Sequence, residues 1–220
     1  MTTVKTIAIV GATGNMGSAI SKGLAKGNYR LLLMANGQNK LESLKTELEK
    51  AGSKSEIFTL ACPKEASWEA DIIILATPYE AEKELAEKIR EVASGKIVVS
   101  ISNPLNSSYN GLVTAPDSSS AQELQKLLPF SKVVKAFNTT FAADFSSPVI
   151  DGKTVDALIA GNNGEAVEMV SELVKTAGFN PVVAGDLSVS GTLEKMQLLL
   201  ISLGMKYNYN WHAGWKILHN

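Results

Sequence analysis

Three glycines follow one another at intervals of three near the start of the chain, in the segment Gly11-Ala-Thr-Gly14-Asn-Met-Gly17. An apolar, β-branched run precedes this segment and an amphipathic pattern follows it, so we expect a strand to end and a helix to begin here. At such a junction Gly11 permits a tight turn, Gly14 lets backbone approach a pyrophosphate, and Gly17 lets the helix pack closely. Phosphates placed there meet free N–H groups at the positive end of the helix. The segment therefore predicts a dinucleotide site at Gly11, Thr13, Gly14, Asn15, Met16 and Gly17.

The stretch after the second predicted strand bears on which dinucleotide binds. Enzymes that use NAD usually place Asp or Glu there, where the carboxylate binds the adenosine ribose. Between Met34 and Lys40 the sequence has no carboxylate, which leaves room for a 2′-phosphate. Asn36 and Lys40 are able to donate hydrogen bonds to that phosphate. We therefore predict NADP as the cofactor, with NAD as the other possibility.

Three later segments, each following a predicted strand, carry a family resemblance. They are Ala76-Thr-Pro78, Ser102-Asn103-Pro104 and Lys135-Ala-Phe137-Asn138-Thr139. Together with the glycine loop they resemble the NADP oxidoreductases that depend on the deazaflavin coenzyme F420. They are also similar to the cytoplasmic reductase domain of the STEAP metalloreductases. The resemblance extends over nearly the whole chain, and the Lys-Ala-Phe-Asn-Thr segment is its most specific part.

The resemblance implies a reaction and a set of contacts. The reaction is hydride transfer between NADP(H) and a flavin- or deazaflavin-like acceptor, with a flavin or F420 as second substrate. The residues bordering the dinucleotide would be Ala76, Thr77 and Pro78, with Ser102 and Asn103 near its nicotinamide half. The residues shaping the contact between nicotinamide and acceptor would be Phe137, Asn138 and Thr139.

Two positions differ from the pattern common in that family. Ala35-Asn36 stands where a Ser-Arg pair commonly grips the 2′-phosphate, and Asn138 stands where the F420-dependent enzymes commonly carry His. The sequence also contains no Ser-Tyr-Lys arrangement of the short-chain dehydrogenase kind, so we expect Tyr79 to be a packing residue. No residue is assigned as an acid or base, and no metal site is predicted.

Hydride transfer between planar rings requires alignment more than a proton donor. The histidines of the chain are His212 and His219, both near the C-terminus, and we see no paired His and carboxylate. Two other functions stay open from the residues alone. One is reduction of a small imine or ketone, in which His212 would line the acceptor pocket. The other is a non-catalytic NADP-binding redox sensor.

Short β-branched runs alternate with helical patterns along the chain, which is typical of a parallel sheet covered on both faces. We predict an α/β fold of the Rossmann type, doubly wound, with a mainly parallel sheet, a C-terminal helix and an aromatic tail. Residues 1–220 form one NAD(P)-binding domain in this prediction, with 187–220 as its helical extension. The predicted strands are Val4–Val10, Arg30–Met34, Glu56–Leu60, Asp71–Ala76, Lys96–Ile101, Lys132–Phe137, Ala157–Ala160 and Val182–Ala184. The predicted helices are Asn15–Lys26, Asn39–Ala51, Glu80–Val92, Ala121–Leu128, Gly164–Thr176 and Leu187–Lys206, with a short helical crossover through Trp68.

Two segments lie outside this alternation. Ser102–Ser120 is long and rich in Ser, Asn, Gly and Pro, so we expect a functional or a mobile loop. The apolar run Leu198–Leu203 predicts a packed helix or a dimer contact, and aromatic residues follow it. A homodimer through the C-terminal helix is therefore possible. The tail aromatics are Tyr207, Tyr209, Trp211 and Trp215.

The composition gives no reason to expect nucleic acid or an anionic membrane as a partner. The 220 residues carry a formal net charge of -1, without the basic excess that such partners attract. No apolar run reaches the roughly 20 residues that span a bilayer, and no signal peptide is recognisable. The single cysteine, Cys62, is expected to be at least half-buried. We expect a cytoplasmic protein, with Glu80–Glu87 as a solvated helix face.

Overall fold

A computed structural model describes residues 4–219. The strands are β1 Thr6–Val10, β2 Arg30–Met34, β3 Glu56–Leu60, β4 Ile72–Leu75, β5 Ile97–Ser100, β6 Lys132–Lys135, β7 Val149–Ile150, β8 Lys153–Thr154, β9 Asp156–Gly161 and β10 Asn180–Gly185. The helices are α1 Asn15–Leu24, α2 Gln38–Lys50, α3 Pro63–Glu69, α4 Tyr79–Ile89, α5 Ser120–Leu127, α6 Gly164–Thr176 and α7 Ser190–Tyr207. Two 3₁₀ turns, Ala142–Phe145 and Leu187–Val189, complete the described elements.

Eight strands form one sheet in the order β10-β9-β6-β5-β4-β1-β2-β3. The six strands from β3 to β6 run parallel to their neighbours. The chain proceeds outward from β1 in both directions, so the order reverses between β1 and β4. That reversal is the crevice where doubly wound sheets bind their ligands. The prediction of a Rossmann-type, mainly parallel sheet is confirmed.

Helices cover both faces of the sheet because its central strands are apolar on both sides. Side chains that alternate along β1 and β4 belong to two separate cores: Ile7 and Ile9 to one, Ala8 and Val10 to the other. The first core is closed by α1, α2 and α6, and the second by α3, α4 and α5. Burial on both faces explains the nearly continuous apolar run Ile72–Leu75 of β4.

Five neighbouring parallel strands end at the same level. The register places Met34, Val10, Leu75, Ser100 and Lys135 side by side at their carboxyl ends. Adjacent strands are about 4.8 Å apart. The segments that follow these strands therefore meet along one edge of the sheet, which is the edge that carries every loop singled out in the sequence.

The chain after β6 contains features that the sequence did not predict. Strand β9 pairs with β6 in the antiparallel direction, and β7 and β8 form a small separate hairpin. The turn Ala142–Phe145 and the two short strands are too short for a hydrophobic period to reveal them. The loop 102–119 folds back on itself through a bridge between Leu105 and Leu112.

Two predictions about individual side chains were wrong. Cys62 is exposed, because it caps the short helix α3 directly after β3, the edge strand of the sheet. Glu82 is 3% exposed, although it lies in the charged stretch that predicted a solvated face. It stands three, four and seven positions before Leu85, Ala86 and Ile89, so it shares their buried face of α4. In residues 4–219 no helix is both long and apolar enough to cross a membrane.

Candidate functional site

The glycine loop joins β1 to α1, and at two of its positions a side chain would clash with backbone. Gly11 has φ of +91°, and a Cβ atom on it would lie 2.2 Å from the carbonyl oxygen of Ala76. A Cβ atom on Gly17 would lie 2.1 Å from the carbonyl oxygen of Gly11. The Gly11 N–H donates to the carbonyl of Met34 at 2.8 Å, which ties the loop to β2. These two glycines are therefore required by the fold itself.

Gly14 differs from them. Its φ is -73°, and among the described residues a Cβ atom on it would meet only the carbonyl oxygen of Gly11, at 3.4 Å. The fold consequently tolerates a side chain at Gly14, and the space beside it is open. A glycine at this place matters to whatever approaches the loop from outside.

Helix α1 begins at Asn15 and presents its N-terminus to that space. No described side chain caps this end, and its first turn, which starts with Asn15 and Met16, contains no acidic residue. The N–H groups of a first helical turn have no partner within the helix. Together with the helix dipole they form a place for an anion.

A cavity of about 400 Å³ lies above this loop at the reversal of the sheet. Residues from the ends of β1, β2 and β4 and from one face of α4 line it. The predicted site residues among them are Gly11, Thr13, Gly14, Asn36, Ala76, Thr77 and Pro78. The structure thus brings together most of the residues predicted to bind the phosphates and the adenosine half of a dinucleotide.

A second cavity, of about 360 Å³, shares Thr13 with the first and extends along α2. It is lined by the exposed side chain of Lys40 and by Asn39 and Ser43. The first cavity contains Asn36, and the second contains Lys40, the cation of the pair predicted from the sequence. A phosphate on the adenosine ribose would reach donors of both cavities across Thr13.

Two asparagines lie at the ends of the neighbouring strands β5 and β6. Asn103 Nδ2 donates to the backbone carbonyl of Asn138 at 3.0 Å, and Asn138 Nδ2 donates to Asn103 Oδ1 at 3.0 Å. The first bond fixes which way the Asn103 amide faces, and the second then fixes Asn138. Asn138 Oδ1 is buried and accepts no hydrogen bond from residues 4–219. It is available to a donor on a bound molecule.

The other two residues of the Phe-Asn-Thr segment point into the protein. Phe137 has φ of 59° and is fully buried, with its ring 5.8 Å from that of Phe145. Thr139 is also fully buried, and its Oγ1 atom accepts from the N–H of Leu158 in β9. The left-handed turn at Phe137 and the anchor at Thr139 hold Asn138 between them. In the structure their observed role is to position Asn138.

A group of buried charges lies under this edge. Lys135 Nζ donates to Glu194 Oε1 at 2.7 Å, to Ser120 Oγ at 2.7 Å and to the backbone carbonyl of Ser102. Both charged side chains of the pair are fully buried. The N–H of Ser120 also donates to Glu194 Oε1, at 3.0 Å. The pair therefore connects β6, α5 and α7 to the residue that precedes Asn103.

Glu82 is the third charge of this group. Its Oε1 atom lies 3.5 Å from the hydroxyl of Ser100. Burial raises the pKa of Glu82 to about 7, and the opposing effects of Lys135 and of the Ser102 hydroxyl are smaller. Sequence reasoning missed these residues, although Lys135 belongs to the most specific motif. The helical spacing of Glu82 was a signal that could have revealed its burial.

The expectation that no His pairs with a carboxylate was wrong. His212 Nδ1 lies 2.9 Å from Asp144 Oδ1, and Asp144 is fully buried. A sequence separation of 68 residues concealed the pair. Burial raises the pKa of Asp144, with hydrogen bonds to Phe141 and His212 acting against it. Tyr79 is a packing residue as expected, since its hydroxyl donates to Glu123 at 2.5 Å.

The residues along this edge fit a dinucleotide on structural grounds. The uncapped start of α1 and the open space at Gly14 suit a pyrophosphate. The hydroxyl of Thr77 and Asn138 Oδ1 are buried without a hydrogen-bond partner in the described part of the chain. Buried polar atoms are rarely left unpaired, so a ligand is expected to satisfy them.

Comparisons with known proteins agree with this geometry. The family model described as NADP oxidoreductase, coenzyme F420-dependent, matches residues 6–104. The F420-dependent NADP reductase of Methanocaldococcus jannaschii is 34% identical over 213 residues, which cover 91% of this chain and 93% of that protein. Metalloreductase STEAP3 of Rattus norvegicus is 30% identical over 151 residues, covering 69% of this chain but 30% of its own length. A crystal structure from Arthrobacter sp. FB24 superposes with a TM-score of 0.81 over 97% of this chain and 99% of its own, at 21% identity, and supports the fold.

Proposed function

This chain belongs to the family of coenzyme F420-dependent NADP oxidoreductases, and from that premise we propose that it transfers hydride between NADP(H) and coenzyme F420. Relatives that cover nearly the whole chain bear the name F420-dependent NADP reductase. The observation that carries the proposal is the edge of the sheet, where the uncapped α1 and the Asn103–Asn138 pair follow adjacent parallel strands. One edge thereby offers an anion site and a site for an amide-bearing ring.

In this proposal each group of residues has a defined task. The loop Gly11–Gly17 and the start of α1 bind the pyrophosphate, and Asn36 and Lys40 bind the 2′-phosphate. Thr77 and Pro78 border the dinucleotide at the end of β4. Asn103 and Asn138 hold the nicotinamide half, with Asn138 Oδ1 accepting from its carboxamide. The tasks of Ala76, Ser102, Phe137 and Thr139 are to shape and support these contacts.

The bound nicotinamide supplies the hydride chemistry, in which two electrons and one hydrogen pass between C4 of its ring and the acceptor. The chain contributes orientation and the exclusion of water. Holding two reactants face to face makes a bimolecular step effectively unimolecular, an effect of up to roughly 7–11 kcal/mol. A rigid amide pair is suited to this task, because both Asn103 and Asn138 are fixed by hydrogen bonds at each end.

Turnover with F420 is the direct test. We expect purified protein to oxidise reduced F420 when NADP⁺ is present, measured by the return of the deazaflavin absorbance. We expect Asn103→Ala to lower kcat by roughly tenfold or more with little change in NADP⁺ affinity, since it releases Asn138. The control is Asn106→Ala, which removes a hydrogen bond to Asn110 within the same loop. Absence of F420 turnover in protein that binds NADP(H) would refute the proposal.

The same assay addresses the other acceptors. A flavin is the second candidate acceptor, and free flavins belong in the panel beside F420. Turnover of small imines or ketones would favour the alternative enzyme class, for which the His212–Asp144 pair offers a proton donor. Binding without turnover across the panel would favour a redox sensor.

Two further predictions from the sequence remain proposals. A homodimer through the C-terminal helix is supported by apolar side chains that α7 and the tail expose, among them Leu199 and Met205. A cytoplasmic location is compatible with the exposed Cys62, which is a free thiol.

A further inference from the structure

The buried ion pair of Lys135 and Glu194 stands one residue from the proposed nicotinamide site. Lys135 Nζ donates to the carbonyl of Ser102, whose neighbour Asn103 holds Asn138. Removing two charges from water carries a free-energy penalty that often exceeds their attraction. Apolar residues would fill this position between β6 and α7 without that penalty. A charged cluster here therefore calls for an explanation beyond stability.

The net charge of the cluster depends on one residue. Lys135 and Glu194 are of opposite sign and sum to zero, and the third member is Glu82, which is 3% exposed. When Glu82 is protonated the cluster is neutral, and when it is ionised the cluster carries one negative charge. Glu194 Oε2 has no hydrogen-bond partner among residues 4–219, so the negative potential of this carboxylate is not fully compensated locally.

The two forms of the dinucleotide differ in charge at the same place. The nicotinamide ring is a cation when oxidised and neutral when reduced, whereas the phosphates are common to both. Ser100 pairs in register with Lys135, and both end their strands directly below the loops that bear Asn103 and Asn138. A charge buried in this low-dielectric layer acts on the ring with little screening.

We propose that Glu82, with Lys135 and Glu194, determines the relative affinity of the protein for oxidised and reduced dinucleotide. Ionised Glu82 stabilises the cationic ring, so it favours NADP⁺ over NADPH, and protonation of Glu82 removes that preference. Binding of NADP⁺ in turn releases a proton from Glu82, because coupling between two bound species is reciprocal. Glu82 is thus a specificity-determining residue that acts without touching the dinucleotide. This inference rests on the proposed function.

Glu82 titrates near neutrality and has a route to solvent. Its pKa of about 7 follows first from burial. A cavity of about 470 Å³ between α4 and α5 is lined by Glu82 and Ser120, on the opposite side of α4 from the dinucleotide groove. The titratable groups around Glu82 are Tyr79 and Lys83 on α4, Glu123 and Lys126 on α5, Lys135 on β6, and Glu194 on α7.

The test compares two dissociation constants on the full-length protein without F420. NADPH binding is followed by fluorescence and NADP⁺ binding by calorimetry, at intervals from pH 6 to pH 8.5. The ratio of the Kd of NADPH to that of NADP⁺ isolates the ring charge, because the 2′-phosphate titrates equally in both ligands. We expect this ratio to rise with pH by roughly tenfold, the effect of a unit charge at about 10 Å in protein.

Variants separate Glu82 from other groups. We expect Glu82→Gln to hold the ratio at its low-pH value throughout, whereas Glu87→Gln, on the exposed face of the same helix, retains the wild-type slope. Glu194→Gln removes a negative charge and shifts the ratio toward NADPH at every pH. It also provides the decision together with the wild-type slope if Glu82→Gln does not fold.

A flat wild-type ratio, or an unchanged slope in Glu82→Gln, would overturn the inference. F420 turnover in a protein with a flat ratio leaves the proposed function in place and refutes only this inference. A pH-dependent ratio in a protein that never turns over F420 has the reverse meaning. Failure to bind either dinucleotide refutes both.

Discussion

Gly14 and Gly17 show how one loop can satisfy the ligand and the fold with the same residue type. A Cβ atom at Gly17 overlaps the backbone of Gly11, whereas a Cβ atom at Gly14 enters open space above α1. Substituting alanine at each position therefore tests different properties. The pair distinguishes loss of binding from loss of structure.

We expect Gly14→Ala to keep the melting temperature within about 2 °C of wild type. NADP⁺ affinity should fall by roughly tenfold or more, because the added methyl group keeps the pyrophosphate away from the helix N–H groups. Gly17→Ala is the matched variant and should destabilise the fold by about 1–3 kcal/mol through overpacking. Calorimetry of binding and thermal unfolding measure both effects. Unchanged NADP⁺ affinity in Gly14→Ala would contradict the assignment of the loop.

Glu82 predicts an unusual dependence of stability on pH. Its folded pKa of about 7 lies above the ordinary value of 4.5, so the folded state binds the proton more tightly than the unfolded state. Stability is therefore highest below about pH 4.5 with respect to this group and declines as the pH rises through 7. Glu82→Gln should gain stability relative to wild type between pH 5 and pH 8, by up to about 3 kcal/mol. Chemical denaturation at the two pH values measures this gain, and a constant difference would show that Glu82 ionises normally.

At the residue scale the sequence predicted what spacing can encode. The glycine loop and the Asn138 segment lie where their motifs indicated, because both directly follow strands with a clear apolar pattern. Pairs formed across long separations were not predictable in the same way. Asp144 finds His212, and Lys135 finds Glu194, only after the chain has folded.

Helix α2 carries the determinants that would select the 2′-phosphate. It begins at Gln38 after Gly37, whose φ is 108°, and this turn places Asn39 and Lys40 along the cavity that Thr13 shares with the glycine loop. The family's common Ser-Arg pair is absent, so Lys40 supplies the charge from within the helix. The selectivity for NADP over NAD should therefore be modest and should depend on α2.

Lys40→Ala is expected to weaken NADP⁺ binding by roughly tenfold through loss of one charged phosphate contact. NAD⁺ binding should stay within about twofold, because NAD⁺ lacks that phosphate. Lys50→Ala, at the exposed end of the same helix, changes the net charge equally and controls for long-range attraction. Equal losses for both dinucleotides in Lys40→Ala would place the 2′-phosphate elsewhere.

The C-terminal tail is attached to the sheet through Asp156 in β9. Asp156 Oδ1 accepts from Lys216 Nζ at 2.7 Å, and Asp156 Oδ2 accepts from the Ile217 N–H at 2.7 Å. Burial raises the pKa of Asp156, but the hydrogen bonds from Ile217, Lys216 and Asn180 outweigh it and hold the pKa below its usual range. The attachment is therefore present at neutral pH and is lost in acid as the carboxylate takes up a proton.

We expect Asp156→Ala to release the tail from the sheet and to reduce stability by roughly 2 kcal/mol. Hydrogen exchange should become faster in residues 211–219 while β1 to β6 keep their protection. Asp151→Ala, which removes an exposed carboxylate before β8, is the control and should resemble wild type. Slow exchange of the tail in Asp156→Ala would mean that its aromatic contacts suffice.

The sequence predicted the elements up to β6 to within a few residues because each one carries a full hydrophobic period. Beyond β6 the elements become short and the sheet reverses direction. The antiparallel pairing of β9 with β6 depends on the chain passing through the turn Ala142–Phe145 and a two-strand hairpin. Local patterns do not record a reversal that arises from tertiary packing.

On the scale of the whole molecule, α7 and the tail expose a group of large apolar side chains. They are Leu199, Met205, Tyr207, Tyr209, Trp211, Ile217 and Leu218. A stable dimer buries on the order of 1,200–2,000 Å² in total. We expect sedimentation velocity to give a dimer and Leu199→Glu to shift it toward the monomer. Val149→Glu, at an equally exposed position on the β7–β8 hairpin, is the control, and a monomeric wild type would refute the proposed interface.

The pairing of Lys135 with Glu194 also has a consequence for the order in which a newly made chain matures. A ribosome adds roughly 5–20 residues per second, and domains begin to fold as they emerge. The glycine loop and strands β1 to β5 are complete well before α7 has been synthesised. Lys135 has to wait near Ser102 for a carboxylate from the last part of the chain. A nascent protein can therefore hold phosphates before it can hold a nicotinamide ring, and full-length synthesis is what makes it competent for hydride transfer.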